Sequence, residues 1–219
     1  LGKAGFPIED LPIVNRDFPG QAHTVPQLAN EYFVANIRKA PFNDARARRA
    51  VSLCMDRELL TEKVYKAGFV ASYSFVPPGT AGYHNAAQLD FKDWPMEKRR
   101  AEARRLLAEA GYSAKKPLEF EFRTMATSRG RKVIVTAAAL LKECGILAHI
   151  FLSEPKVYYT ALQMFDFTLG WAAWGADYND PHTFLYLLDS RAGPYNYQGY
   201  HNPAFDRLMD KAQNTQDIE

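Results

Sequence analysis

The stretch 118–152, LEFEFRTMATSRGRKVIVTAAALLKECGILAHIFL, carries the decision about the fold. Leu118-Glu-Phe-Glu-Phe-Arg-Thr124 alternates apolar and polar side chains, the period of a half-buried strand. From about Arg129 to Cys144 the period becomes helical. Val133, Ala137, Leu140 and Leu141 share one face, and Gly145 supplies the stop. Ile146 to Leu152 then reads as a second strand. Strands separated by a helix of this length belong to an α/β layer structure with a partly parallel sheet.

Working outward, the same alternation holds. Glu31-Tyr-Phe-Val-Ala-Asn-Ile37 is rich in aromatic and β-branched residues and reads as a strand. Pro41-Phe-Asn-Asp44 is a turn that offers Asn43 or Asp44 as a helix N-cap. The helix after it has Ala47, Ala50, Val51 and Cys54 inward and Arg46, Arg48 and Arg49 outward. Asp56 can cap a second helix, with Leu60, Val64 and Ala67 inward and Gly68 as its stop. Phe75-Val-Pro-Pro-Gly79 lacks two backbone donors and begins a loop that runs to about Asp90. Pro95 opens a helix with Ala103, Leu106, Leu107 and Ala110 inward, Lys98, Arg99 and Arg105 outward, and Gly111 at its end. Downstream, Pro155 to Met164 reads as a helix and Phe165 to Trp171 as a strand. Pro181 to Leu188 and Pro203 to Gln213 read as short helices. Residues 1–30 read as irregular, punctuated by Pro7, Pro12, Pro19 and Pro26, with Gly2, Gly5 and Gly20 between them. The reading is a mixed, mostly parallel sheet flanked by helices.

Composition excludes several classes. Of 219 residues, 47% are hydrophobic and 24% charged, enough apolar surface to offset chain entropy. The net charge of +2 gives no reason to expect a nucleic-acid binder. The run Arg46-Ala-Arg-Arg49 has no interleaved aromatics and has Asp44, Asp56 and Glu58 nearby, so it reads as a solvated helix face. The longest nearly apolar run, Val133 to Leu141, falls far short of the ~20 residues a membrane span needs. Cys54 and Cys144 both fall on apolar helix faces and read as buried free thiols ahead of a disulfide. The chain starts at Leu1 without a basic-then-apolar leader. It stops at Glu219, just after the apolar stripe Phe205, Leu208, Met209 and Ala212. It is therefore expected to be a mature chain or a piece of a longer one.

No phosphate-binding glycine loop, nucleophile elbow or zinc-binding helix motif is present. His23, His84, His149, His182 and His201 share no metal-ligand spacing, and His149 reads as a solvent-facing or hydrogen-bonded strand residue. The informative stretch is Trp171-Ala-Ala-Trp-Gly-Ala-Asp-Tyr-Asn-Asp-Pro181. A strand delivers it and a helix follows, the place where open α/β sheets bind ligands. Asp180 is the natural N-cap ahead of Pro181, which leaves Asp177 without a structural task beyond a turn aspartate's bond to its own backbone. Trp171 and Trp174 read as core rings or as the walls of a ligand site.

Several blocks, in order, resemble the family 5 extracellular solute-binding proteins. They are Ala40-Pro-Phe-Asn-Asp-Ala-Arg-Ala-Arg-Arg-Ala50 with Met55-Asp-Arg57; Tyr73-Ser-Phe-Val-Pro-Pro-Gly79; Ala108-Glu-Ala-Gly-Tyr112; Trp174-Gly-Ala-Asp-Tyr-Asn-Asp-Pro181; and Tyr200-His-Asn-Pro-Ala-Phe-Asp-Arg-Leu208. The resemblance covers residues 31–210 and is nearest to the oligopeptide-binding members. It implies one lobe of a type II periplasmic-binding-protein fold, with 1–30 an inter-lobe segment and 31–219 the C-terminal ligand-binding lobe. A signal sequence, an N-terminal lobe and a further C-terminal segment would lie outside these residues. It also implies capture of short peptides outside the cytoplasm for the membrane permease of an ABC importer, with hinge closure over the ligand. The implied location is the periplasm, or the extracellular side with a lipid anchor. No cofactor, metal, nucleic acid or catalytic residue is implied, and the protein is expected to be a monomer.

The same resemblance assigns roles. Asp177 matches the aspartate that pairs with a peptide's α-ammonium group, and Ala173 to Gly175 matches the strand that bonds the peptide backbone. Gly175 would let that backbone approach closely, and Trp174 would wall a side-chain pocket with Tyr178 beside it. From its own place at a helix start, Arg129 reads either as the cation for the ligand carboxylate or as a solvated first-turn arginine. Some family members carry a cation just before the Trp loop, where this chain has Thr168, Leu169 and Gly170, with two residues inserted before Trp174. Relatives with non-peptide cargo (a nickel complex, a sugar or an opine) form the alternative. An enzyme pairing Asp166 with Asp177 as acid and base, and a cytoplasmic interaction module, are the rivals from other classes.

Overall fold

A computed structural model describes residues 10–23, 27–66, 68–84 and 87–215. Gly2, Gly5, Pro7, Pro26 and Ala67, named above, lie outside the described residues. Four strands form one sheet in the order β1-β4-β2-β3: β1 (Ala29–Ala35), β2 (Leu118–Met125), β3 (Ile146–Ser153) and β4 (Leu169–Gly175). The deciding stretch folds as read. β2 and β3 pair in parallel from Leu118 opposite Ile146 to Met125 opposite Ser153, joined by a helix over Ser128–Glu143.

The α-helices of the described residues, in chain order, are α1 (Leu11–Asp17), α2 (Ala45–Cys54), α3 (Arg57–Leu59), α4 (Met96–Glu109), that connecting helix α5 (Ser128–Glu143), α6 (Pro155–Gln163), α7 (His182–Leu185) and α8 (Pro203–Gln213). One sheet face packs on α2, α4 and α5. Phe42, Leu53, Leu107, Phe120, Phe122, Leu141 and Ile146 are buried there. The other face packs on α6 through Val34, Tyr158, Leu162, Phe167 and Ala172. Burying about 25 cal/mol for each Å² of such apolar surface is what holds the layers together.

Several readings need correction. Residues 11–17 form α1, with Pro12 in its first turn, where a missing N–H costs no helical bond. The helix capped by Asp56 widens after Leu59 into a π-helical turn over Leu60–Tyr65 and ends at Lys66, whose φ of 57° breaks it before Gly68. Arg99 is buried at 4% exposure, because its guanidinium donates to the Tyr73 hydroxyl (2.7 Å) and the Lys92 carbonyl (2.5 Å). Cys54 and Cys144 form a disulfide, 90 residues apart in the chain. The apolar faces that bury them pack against each other, which brings their Cα atoms to 6.4 Å.

Candidate functional site

β4 positions the site, and it lies four residues later than the local sequence suggests. Phe165 takes a positive φ of 57° just after α6, so the strand begins at Leu169 and carries Trp174 and Gly175 within it. Its antiparallel partner β1 holds it there, from Ala35 opposite Leu169 to Ala29 opposite Gly175.

The register decides which backbone groups are used. Bonded pairs alternate with non-bonded pairs in an antiparallel ladder. Asn36 N–H donates to Thr168 O (3.0 Å) and Ala176 N–H to Leu28 O (2.8 Å), so the even-numbered residues of β4 point their backbone groups at β1. The odd-numbered ones point the other way. There β2 pairs only as far as Phe122 opposite Leu169 and Arg123 opposite Gly170. Trp171 N–H donates to the Tyr158 hydroxyl (2.7 Å), which in turn donates to Trp171 O. Ala173 and Gly175 come next. Both are exposed, and no described residue bonds to their outward N–H and C=O groups. A Cβ on Gly175 would meet no atom within 4 Å. The strand therefore ends in an open, two-residue hydrogen-bonding edge.

Asp177 follows directly, exposed, and its carboxylate has no described hydrogen-bond partner. Its backbone N–H donates to Thr183 Oγ1 (3.3 Å), and Trp174 Nε1 donates to the same oxygen (3.2 Å). Thr183 is buried at 3% exposure and ties the strand end to α7. The Trp174 ring meets Tyr195 edge-on at 5.7 Å. The N-cap of α7 is Pro181, one residue later than expected, and Asp180 supports the turn ahead of it by accepting from His182 N–H at 2.7 Å. The Tyr178 hydroxyl lies 2.6 Å from His182 Nδ1, so Tyr178 braces this loop at its exposed rim. The prolyl loop docks alongside, with Ala81 N–H donating to Asn179 Oδ1 (2.8 Å) and Asn30 Nδ2 to Phe75 O (2.6 Å).

Arg129 sits on the same side of the edge, through Glu31, the register partner of Ala173. Its guanidinium is 3.3 Å from Glu31 Oε1 and remains 52% exposed. Burial pushes the Glu31 carboxyl above its usual range, against the pull of Tyr65 and Arg129. Tyr65 also accepts from Trp171 Nε1 (3.1 Å), and burial pushes its hydroxyl well up. Thus Ala173, Trp174, Gly175 and Asp177 come together, Arg129 borders them already paired, and Tyr178 lies at the rim. Asp166 does not join them. It precedes β4 while Asp177 follows it, and a strand of this length separates them by roughly 20 Å or more. Thr183, Tyr158 and Glu31 were missed. Their contacts cross between elements, so no local spacing marks them.

The described residues contain no helix long and apolar enough to cross a membrane. Residues 4–196 match the model of the bacterial extracellular solute-binding proteins, family 5 (middle), and the chain belongs to that family. It is 35% identical over 205 residues to the periplasmic oligopeptide-binding protein OppA of Escherichia coli K12, covering 93% of this chain and 37% of that protein. It thus spans well under half the length of that relative. Haemophilus influenzae OppA in complex with RPPGFSPFR superposes with a TM-score of 0.91 at 30% identity, over 98% of this chain and 42% of that one. The Escherichia coli murein tripeptide binding protein MppA superposes with a TM-score of 0.90 at 33% identity, over 97% of this chain and 42% of that one.

Proposed function

We propose that this chain is the peptide-binding lobe of the substrate-binding component of an ABC importer. It captures short peptides outside the cytoplasm and hands them to a membrane permease. One observation carries the reading: an unpaired backbone edge at Ala173 and Gly175 that runs into the unpartnered carboxylate of Asp177. A peptide laid along that edge gains main-chain bonds that read no side chain. Its α-ammonium group meets Asp177 in a charge-assisted bond of about 1.5–3 kcal/mol, equivalent to roughly ten- to hundredfold in affinity. Trp174 and Tyr195 wall one side. Arg129, still half exposed beside Glu31, is assigned to the carboxylate of ligands short enough to end there. The relatives named above support the peptide class. The Cys54–Cys144 disulfide supports a compartment outside the cytoplasm, because such bonds persist where thiols are oxidised.

The test is calorimetry on the full-length protein carrying this sequence, stripped of ligand by unfolding and refolding. A pool of tri- to pentapeptides is titrated free and then N-acetylated. Acetylation is expected to weaken binding at least tenfold, and Asp177→Asn to reproduce that loss for the free pool only. Equal affinity for both pools would remove Asp177 from the site, and no binding of either would remove peptides.

A further inference from the structure

Strand addition at β4 raises the question of how far the added strand can run. Asp177 lies beyond the C-terminal end of β4, so a ligand whose ammonium group is held there runs antiparallel to β4. Its first residue lies opposite Gly175 and its third opposite Ala173, both with free backbone groups. Its fifth would lie opposite Trp171. That place is taken: the Tyr158 hydroxyl accepts from Trp171 N–H at 2.7 Å and donates to Trp171 O. Tyr158 is fully buried against Leu162 and Val34 in the α6 layer, so its ring cannot swing aside freely. Gly170 is needed for this approach, since a Cβ there would sit 2.9 Å from the Tyr158 oxygen and 3.0 Å from Leu162.

We propose that Tyr158 is a strand stop that limits ligand pairing to the first three residues and turns the remainder of any longer peptide away from the sheet. It is a specificity-determining residue that acts through the Trp171 backbone, and the proposal rests on the peptide-binding reading above. The hydroxyl satisfies both edge groups of Trp171 at once, as a paired strand would. The β4 edge is therefore divided into a segment used by β2, a single residue closed by Tyr158, and a segment open to ligand.

The test uses amide-to-ester replacement, which deletes one ligand N–H at a time. In the full-length protein, calorimetry compares a pentapeptide with its esters at residue three and at residue five. The residue-three ester is expected to lose roughly threefold to tenfold in affinity, the equivalent of one hydrogen bond, and the residue-five ester less than twofold. In Tyr158→Leu, which keeps an apolar stem but withdraws the ring and hydroxyl, the residue-five ester is expected to become as costly as the residue-three ester. A pentapeptide held by the variant but not by the native protein would support the stop equally. A residue-three ester without cost overturns strand addition itself. Costly esters at both positions in the native protein overturn only the stop, as does a residue-five ester that stays silent in a folded Tyr158→Leu.

Discussion

Thr183 does for the site what no motif announces. One buried hydroxyl oxygen accepts from Trp174 Nε1 and from the Asp177 backbone N–H, so a single side chain fixes both the aromatic wall and the placement of the carboxylate. Thr183→Val keeps the shape and removes the acceptor. It is expected to destabilise the fold by about 1–3 kcal/mol, the cost of stranding donors, and to weaken peptide binding. Thermal unfolding and calorimetry read the two effects, and unchanged values in both would remove Thr183 from this role. Asp177 was singled out in the sequence by its match to a family motif, beside the plainer reading of a turn aspartate. Thr183, Tyr158 and Glu31 were not. Each acts across a tertiary contact, and a threonine in a short helix, a tyrosine in an amphipathic one and a glutamate in a strand carry no local sign of it.

At the scale of elements, periodicity and β-prone composition located parts of all four strands and the large helices, because their apolar residues pack in the two clusters on either side of the sheet. The misplaced element was β4. Phe165-Asp-Phe-Thr-Leu is β-prone by composition, whereas Ala172, Ala173 and Gly175 are poor strand formers. The second half of the strand exists because β1 pairs with it, a long-range cause that overrides propensity. That same half is the proposed ligand edge, so the local weakness of the sequence coincides with the part left open. The α2–α5 staple was hidden for the same reason, its cysteines being 90 residues apart. The disulfide closes a loop of that size in the unfolded chain. Cys54→Ala combined with Cys144→Ala is expected to lower stability by about 3–5 kcal/mol in denaturant titrations. Thiol titration of the unreduced, denatured native chain should find no reactive cysteine. Two free thiols would contradict the bond.

At the scale of the whole molecule, the sheet is asymmetric in what it leaves available. Helices cover both faces, β3 takes one side of β2, and β1 takes one side of β4. The proposed site is the short length of β4 where β2 has ended and Tyr158 has closed the step after it. Family membership places the chain among solute-binding proteins, and the open edge is the physical means of binding proposed for it. The central claim is that a peptide becomes the missing strand beside Ala173 and Gly175. Residue-resolved amide hydrogen exchange on the full-length protein, with and without saturating tripeptide, tests it directly. Unliganded, the Ala173 and Gly175 amides point to solvent and should exchange quickly. With peptide bound they should slow by about a hundredfold or more, while Trp171, already bonded to Tyr158, should change little. Exchange at Ala173 and Gly175 that stays fast under saturation would contradict the account.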